Sequence, residues 1–131
     1  DLKFPNRVEI LKQFTAFTFK LHEENVNFLD HSPGNTLIVK TDVAQYDFYL
    51  IDLNRMRFEA MNFKKRMHNF RRLWLSKAMI QIMSKEYAVL SETPLTEIQS
   101  GMLHYSRQFQ KKIDTKKLKR SGRKMVFKST D

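Results

Sequence analysis

The chain has 131 residues, 41% of them hydrophobic, with 11 Phe, 7 Met and a formal net charge of +10. This length and composition predict one domain with an apolar core and exclude a disordered chain. Because cysteine is absent, disulfides and thiolate metal sites are excluded. No apolar run reaches the roughly 18 to 20 residues that a membrane-spanning helix needs.

The first segment reads as a helix. Apolar residues recur there at helical spacing and predict a helix over residues 7–24, and Asn6 with Glu9 resembles a helix-start capping pair. The start of the chain has no initiator Met, basic flank or apolar signal core, which predicts a reducing, cytoplasmic setting and a chain that begins within a longer protein.

Two short apolar runs in the next segment predict a β-hairpin. The strands are expected at residues 36–40 and 47–51, with a polar bend over residues 41–45. Pro33-Gly34 is a turn signal that reverses the chain just before the first strand. Residues 53–58 are predicted to be loop or a short turn.

The remainder of the chain is predicted to be helical. One helix carries an apolar face from Phe63 to Trp74, a second covers residues 76–90, and a third starts at Thr93-Pro94 and continues to Ile113. Helices therefore dominate, and the predicted class is α+β, mostly helical.

Basic residues are concentrated near the C-terminus. Residues 111–131 hold nine Lys or Arg against two Asp, so this tail could bind an anionic membrane or nucleic acid by charge, or be a solvated end. Basic residues of the Phe63–Trp74 helix could meet anionic lipid or sugar phosphates, or simply face solvent. These residues are Lys64, Lys65, Arg71 and Arg72.

Polar residues at one end of the hairpin have the spacing of a phosphotransferase site. Asp30 and Asn35 precede the first strand and Asp52 ends the second, so an antiparallel hairpin brings all three to the same end. Phosphoryl transfer needs a carboxylate near the acceptor hydroxyl and oxygen ligands for magnesium. This arrangement predicts Asp30 as the base, with Asn35 and Asp52 as Mg²⁺ ligands.

The alternative is structural. Asp and Asn are common at turns, where their side chains bond nearby backbone, so each residue alone carries little weight. The three together, around a hairpin, favour the catalytic interpretation. The four histidines show no metal-ligand spacing and are assigned to no metal.

Two stretches at these residues, 28–35 (FLDHSPGN) and 49–56 (YLIDLNRM), resemble the lipopolysaccharide core kinases, the Kdo and heptose kinase group of Gram-negative bacteria. The resemblance covers about residues 6–75. It implies a protein-kinase-like fold and ATP-dependent phosphorylation of a sugar hydroxyl in the lipid A inner core, at the cytoplasmic face of the inner membrane. It also matches Asp30 to the catalytic aspartate, Asn35 to the catalytic-loop asparagine and Asp52 to the metal-binding aspartate.

The sequence departs from the protein-kinase pattern around these residues. Phe28-Leu29 stands in place of His-Arg, and Leu53-Asn54 in place of Phe-Gly, which puts phosphorylation-controlled switching in doubt. Ser32 occupies the place of a Lys that faces the transferred phosphate. His31 or Arg55 could supply that charge, so these three residues are weaker candidates for substrate or phosphate contact.

Glycine occurs only at positions 34, 101 and 122, so the chain has no Gly-rich phosphate loop, and no strand carrying an ATP-binding Lys precedes Asp30. Residues 1–110 are therefore expected to form a C-terminal kinase lobe, with residues 111–131 as a basic tail, and the chain alone is expected to be inactive. Another small-molecule kinase of the same fold, or a non-catalytic basic module, remains an alternative. No specific nucleic acid is expected as a partner.

Overall fold

Four α-helices and four short β-strands make up the chain, in a computed structural model that describes residues 6–130 and the side chains of residues 6–121. The elements are α1 (Arg7–Glu23), β1 (Val26–Phe28), β2 (Thr36–Asp42), β3 (Gln45–Leu50), β4 (Met56–Phe58), α2 (Phe63–His68), α3 (Lys77–Ser91) and α4 (Leu95–Thr130). Single-turn 3-10 helices lie at Pro33–Asn35, Leu53–Arg55 and Arg71–Leu73. The predicted α+β class, mostly helical, is confirmed.

The helix predicted over residues 7–24 is confirmed as α1, but its capping pair is wrong. Asn6 stands at the N-cap position, yet its side chain makes no capping hydrogen bond. Its backbone has φ −100° and ψ 16°, whereas a capping side chain needs an extended residue from which to reach the first-turn N–H groups.

The predicted hairpin is confirmed, with a tighter turn than expected. β2 and β3 pair antiparallel from Thr36 opposite Leu50 to Asp42 opposite Gln45. Most of the predicted bend therefore belongs to the strands, and Ala44 turns the chain with a φ of 54°.

A second two-stranded sheet was not predicted. β1 pairs antiparallel with β4, Val26 opposite Phe58, so the expectation of loop over residues 53–58 is wrong for the last three residues. Three-residue strands are too short to show an alternating pattern, and their pairing joins segments far apart in the sequence.

The helix predicted from Phe63 to Trp74 is wrong beyond His68. α2 ends there, a 3-10 helix follows, and Trp74 adopts a left-handed φ of 56°. Asn69 stands at the break, where its side chain bonds distant groups in the core. The apolar pattern therefore continues past the end of α2, and the left-handed Trp74 ends the segment.

The last two predicted helices are confirmed as α3 and α4. α4 starts directly after Pro94 and continues as helix past the expected Ile113, so the expected boundary between residues 110 and 111 falls within it. The side chains of residues 122–131 in the basic tail lie outside the described residues. No helix in the described part of the chain is both long and apolar enough to cross a membrane.

The core forms where α1, α3 and α4 pack around the segment that contains α2. α1 and α4 each contact α3, and α2 packs on α4. The fully buried apolar side chains at its centre are Phe28, Met67, Phe70, Met83, Tyr87, Ile98 and Met102.

The β2–β3 hairpin covers α1 with one face and leaves the other exposed. Phe48 packs against Phe14 of α1 with ring centroids 5.6 Å apart. On the opposite face, large apolar side chains are between 39% and 53% exposed. These side chains are Leu37, Val39, Tyr49 and Ile51.

Candidate active site

The structure brings the stretches that carry Asp30, Asn35 and Asp52 together at one end of the hairpin. The amide Nδ2 of Asn35 donates to the carbonyl oxygen of Asp30 at 3.0 Å. The backbone N–H of Ile51, next to Asp52, donates to the carbonyl oxygen of Asn35 at 3.0 Å. Hydrogen bonds therefore fix the relative positions of the three stretches.

Arg55 joins the same end of the hairpin. Its Nη1 donates to Oδ1 of Asp30 at 3.0 Å, and the backbone N–H of Leu29 donates to the Arg55 carbonyl oxygen at 2.9 Å. The Asp30 side chain is 24% exposed and that of Arg55 53%. The carboxylate is therefore held by one guanidinium yet can still be reached from solvent.

Asp52 lies on the surface in a strained conformation. Its φ of 59° is in the left-handed region, which a non-glycine residue seldom adopts and which is frequent at functional sites. Its Oδ1 accepts a hydrogen bond of 2.8 Å from Nδ2 of Asn54.

Asn35 and Asp52 have the donor chemistry that suits magnesium. Because Nδ2 of Asn35 is used by the Asp30 carbonyl, the amide oxygen is the atom left for a ligand. Amide and carboxylate oxygens are hard donors, and Mg²⁺ keeps several waters, so two protein ligands are sufficient. Among the described residues, no group of three or more His, Cys, Asp or Glu could hold a metal.

His31 does not present a charge to this site, so the suggestion that it contacts a phosphate is wrong for this structure. Its ring is fully buried and stacks on Phe14, with ring centroids 5.1 Å apart, while Nε2 lies 3.0 Å from the Thr18 hydroxyl. Burial, and then the nearby His22, lower the pKa of His31 to about 3. The ring is therefore neutral near pH 7.

Ser32 plays a visible backbone role. It is half-buried, and its carbonyl oxygen accepts hydrogen bonds from the Asn35 N–H at 3.1 Å and from the Thr36 hydroxyl at 3.4 Å. Its own side chain caps no helix. The roles predicted for Ser32, Arg55, Asp30, Asn35 and Asp52 stay predictions.

A buried chain of hydrogen bonds supports the stretch before Asp30, and it was not predicted from the sequence. Asn69 donates from Nδ2 to the Phe28 carbonyl oxygen at 2.8 Å, so its Oδ1 accepts from Nε2 of His22 at 2.8 Å. Nδ1 of His22 then accepts from the Tyr87 hydroxyl at 2.7 Å, and that hydroxyl accepts from Arg66 at 3.3 Å. This bonding assigns the His22 tautomer.

The side chains of this chain of hydrogen bonds come from α1, α2, α3 and the residue after α2. Only spacing within one segment can be read from a single sequence, so side chains that meet across four segments escape notice. Burial, opposed by the bond to Asn69, lowers the pKa of His22 to about 4, so this ring is also neutral near pH 7.

Residues 4–93 match the family described as Lipopolysaccharide kinase (Kdo/WaaP) family. This match covers the hairpin, the residues at its end, and the hydrogen-bonded residues His22, Asn69 and Tyr87. No curated protein and no solved structure matches the chain significantly.

Proposed function

The chain belongs to the lipopolysaccharide kinase (Kdo/WaaP) family, a phosphotransferase family, and from this premise we propose a specific role. The chain forms the C-terminal catalytic lobe of an ATP-dependent kinase. That kinase phosphorylates a hydroxyl of a Kdo or heptose sugar in the lipopolysaccharide inner core.

The observation that carries the proposal is the convergence of Asp30, Asn35 and Asp52 at one end of the hairpin. Asp30 is the general base that receives the proton of the attacking sugar hydroxyl. Arg55 holds Oδ1 of this carboxylate and fixes its orientation, which leaves Oδ2 to receive the proton. The exposure of the Asp30 carboxylate and the hydrogen bonds that join the three stretches support this assignment.

Asn35 and Asp52 hold magnesium in this proposal. Their oxygens fit the ion, and Asp52 is exposed, so the ion and its waters can enter from solvent. When bound, magnesium would neutralise the negative charge of the ATP phosphates. The protein's own contribution is to hold the three stretches that carry Asp30, Asn35 and Asp52 together at one end of the hairpin.

The exposed apolar face of the hairpin supports the assignment of a single lobe. Residues 1–110 are proposed to form this lobe, and another part of the kinase would supply the nucleotide clamp. Ile51 of the exposed face immediately precedes Asp52. Exposed apolar patches mark interaction sites in soluble proteins, so this face suits a second lobe.

The basic end of α4 is proposed to rest on the inner face of the membrane, where the lipid-anchored acceptor is made. Lys111, Lys112, Lys116 and Lys119 lie along one exposed side of the helix. Each cation near an anionic leaflet contributes about 1 kcal/mol. Sedimentation with anionic but not neutral vesicles, weakened by salt, is the expected result.

The test of the function is transfer of labelled phosphate from ATP to Kdo-lipid A by the intact protein. We expect Asp30→Asn to lower the rate about 100-fold or more, because general base catalysis is lost. Asp52→Asn is expected to raise the magnesium concentration needed for half-maximal rate. Asp42→Asn, at the far end of the hairpin, is the matched control and should leave both quantities unchanged.

Each other outcome argues against part of the proposal. A near wild-type rate for Asp30→Asn would refute the assigned base. Transfer to choline or an aminoglycoside, but not to the lipid acceptor, would assign another small-molecule kinase. Absence of transfer, together with salt-sensitive membrane binding that survives Asp52→Asn, would favour a non-catalytic basic module.

A further inference from the structure

Three arginines lie in the two segments that flank the Asp30 segment, and the Asp30 carboxylate is paired with only one of them. Arg55 is paired with Asp30 at 3.0 Å. Arg71 and Arg72 begin the 3-10 helix that follows α2. Neither has a carboxylate partner, since the ion pairs of the described residues are Arg55–Asp30, Lys65–Glu59 and Arg66–Glu23.

Hydrogen bonds place the segment that carries Arg71 and Arg72 next to the segment that carries Asp30. Asn69, two residues before Arg71, bonds the Phe28 carbonyl oxygen at 2.8 Å, and Leu29 bonds the Arg55 carbonyl oxygen at 2.9 Å. The segment that carries Asp30 therefore lies between the Asn69 and Arg55 segments.

The charges in this region act on one another. Burial lowers the pKa of Arg71, the positive charges of Arg72 and Arg55 lower it further, and the Asp30 carboxylate raises it. Arg71 therefore lies within electrostatic reach of Arg72, Arg55 and Asp30. The four groups comprise three cations and one anion, and a second anion would relieve the repulsion that acts on Arg71.

Both unpaired guanidiniums keep donors for such an anion. Cζ of Arg72 lies over the Phe109 ring, 5.1 Å from its centroid, and the buried Nε of Arg72 has no hydrogen-bond partner among the described residues. Arg71 donates from Nη1 to the His68 carbonyl oxygen at 3.2 Å, a bond that orients the rest of its fork. A buried donor without a partner is costly, and planar guanidinium forks match carboxylate and phosphate oxygens.

We propose that Arg71 and Arg72, together with Arg55, form an oxyanion site that holds an acidic group of the acceptor beside Asp30. The group is a carboxylate, as in Kdo, or a phosphate. The identity of this acceptor rests on the proposed function, whereas the binding of an oxyanion does not. The site would orient the sugar so that its hydroxyl faces the Asp30 carboxylate.

The first test needs no activity. The Nε–H signals of the arginines are followed by NMR while inorganic phosphate, the methyl glycoside of Kdo, or the neutral methyl ester of that glycoside is added to the chain. We expect saturable shifts at Arg71 and Arg72 with the first two probes and none with the ester. Arg71→Gln and Arg72→Gln should each weaken binding about tenfold or more.

Arg107→Gln is the matched control, because Arg107 is exposed on α4 and should not change the affinity. Arg71→Lys is a milder variant that keeps the charge and loses the fork, and it should also weaken binding. Equal shifts at Arg107 and Arg71, or affinity that survives both glutamine variants, would overturn the proposal.

The second test uses the intact protein and separates the site from the function. We expect Arg72→Gln to raise KM for Kdo-lipid A about tenfold with KM for ATP unchanged. A raised KM for ATP alone would assign the anion to the nucleotide and overturn the proposal. Oxyanion binding without any transfer would refute the proposed function and leave the oxyanion site standing. Transfer with a KM for Kdo-lipid A that neither Arg71→Gln nor Arg72→Gln changes would refute the site alone.

Discussion

Mild acid should destabilise this protein well before its carboxylates are protonated, because two buried histidines are neutral in the folded state. His22 and His31 have pKa values lowered from an ordinary 6.5 to about 4 and about 3. The unfolded chain therefore binds protons that the folded chain does not. The stabilisation is complete above the unfolded pKa and is lost as the pH falls from 6.5 towards the folded values.

The size of the effect follows from these pKa values. At about pH 5 the pH lies about 1.5 units below the pKa of each histidine in the unfolded chain. Protonation therefore stabilises the unfolded chain by about 2 kcal/mol per histidine, at about 1.4 kcal/mol per pH unit. His22 and His31 together should lower the free energy of unfolding by about 4 kcal/mol between about pH 7.5 and about pH 5. This is a large part of the roughly 5 to 15 kcal/mol that stabilises a typical domain.

Urea unfolding followed by circular dichroism at several pH values measures this loss, and NMR titration of the imidazoles assigns it. His104 is exposed, so His104→Gln should leave the pH dependence unchanged and serves as the control. The reasoning would be refuted by a loss below about 1 kcal/mol, or by folded His22 and His31 titrating near the ordinary value.

Three stability predictions can be checked by the same urea unfolding. Tyr87→Phe should cost about 1 to 3 kcal/mol, because it leaves Nδ1 of the buried His22 without a hydrogen-bond partner. Gly101→Ala should cost about 1 to 3 kcal/mol, because the new Cβ would lie 2.5 Å from Cγ of the buried Met67. Ser76→Ala should cost about 1 kcal/mol, since this side chain caps α3, whereas Asn6→Ala should cost little; equal costs would contradict the capping argument.

The parts of the fold that the sequence predicted are those that depend on local pattern. α1, α3 and the hairpin follow from periodicity, and Pro94 marks the start of α4 because proline is tolerated before the first turn. The hairpin was sufficient to predict that Asp30, Asn35 and Asp52 stand at one end, and the hydrogen bonds among their segments agree with this prediction.

The features of the fold and the site that were not predicted from the sequence depend on contacts between distant residues. The apolar pattern from Phe63 to Trp74 predicts one helix, yet α2 ends at His68, just before Asn69, whose amide bonds both His22 and Phe28. The burial of His31 was missed because a histidine beside a candidate base suggests chemistry, whereas its packing on Phe14 is visible only in three dimensions. The pairing of β1 with β4 was missed for the same reason.

The buried chain that runs from Arg66 to the Phe28 carbonyl has a direction. A guanidinium can only donate and a carbonyl can only accept, so every hydrogen between them must point the same way, and turning the amide of Asn69 over would set donor against donor. This chain of hydrogen bonds therefore has a single arrangement of its hydrogen atoms. The backbone just before Asp30 is thus linked to Tyr87 of α3 by hydrogen bonds whose donors and acceptors cannot be exchanged.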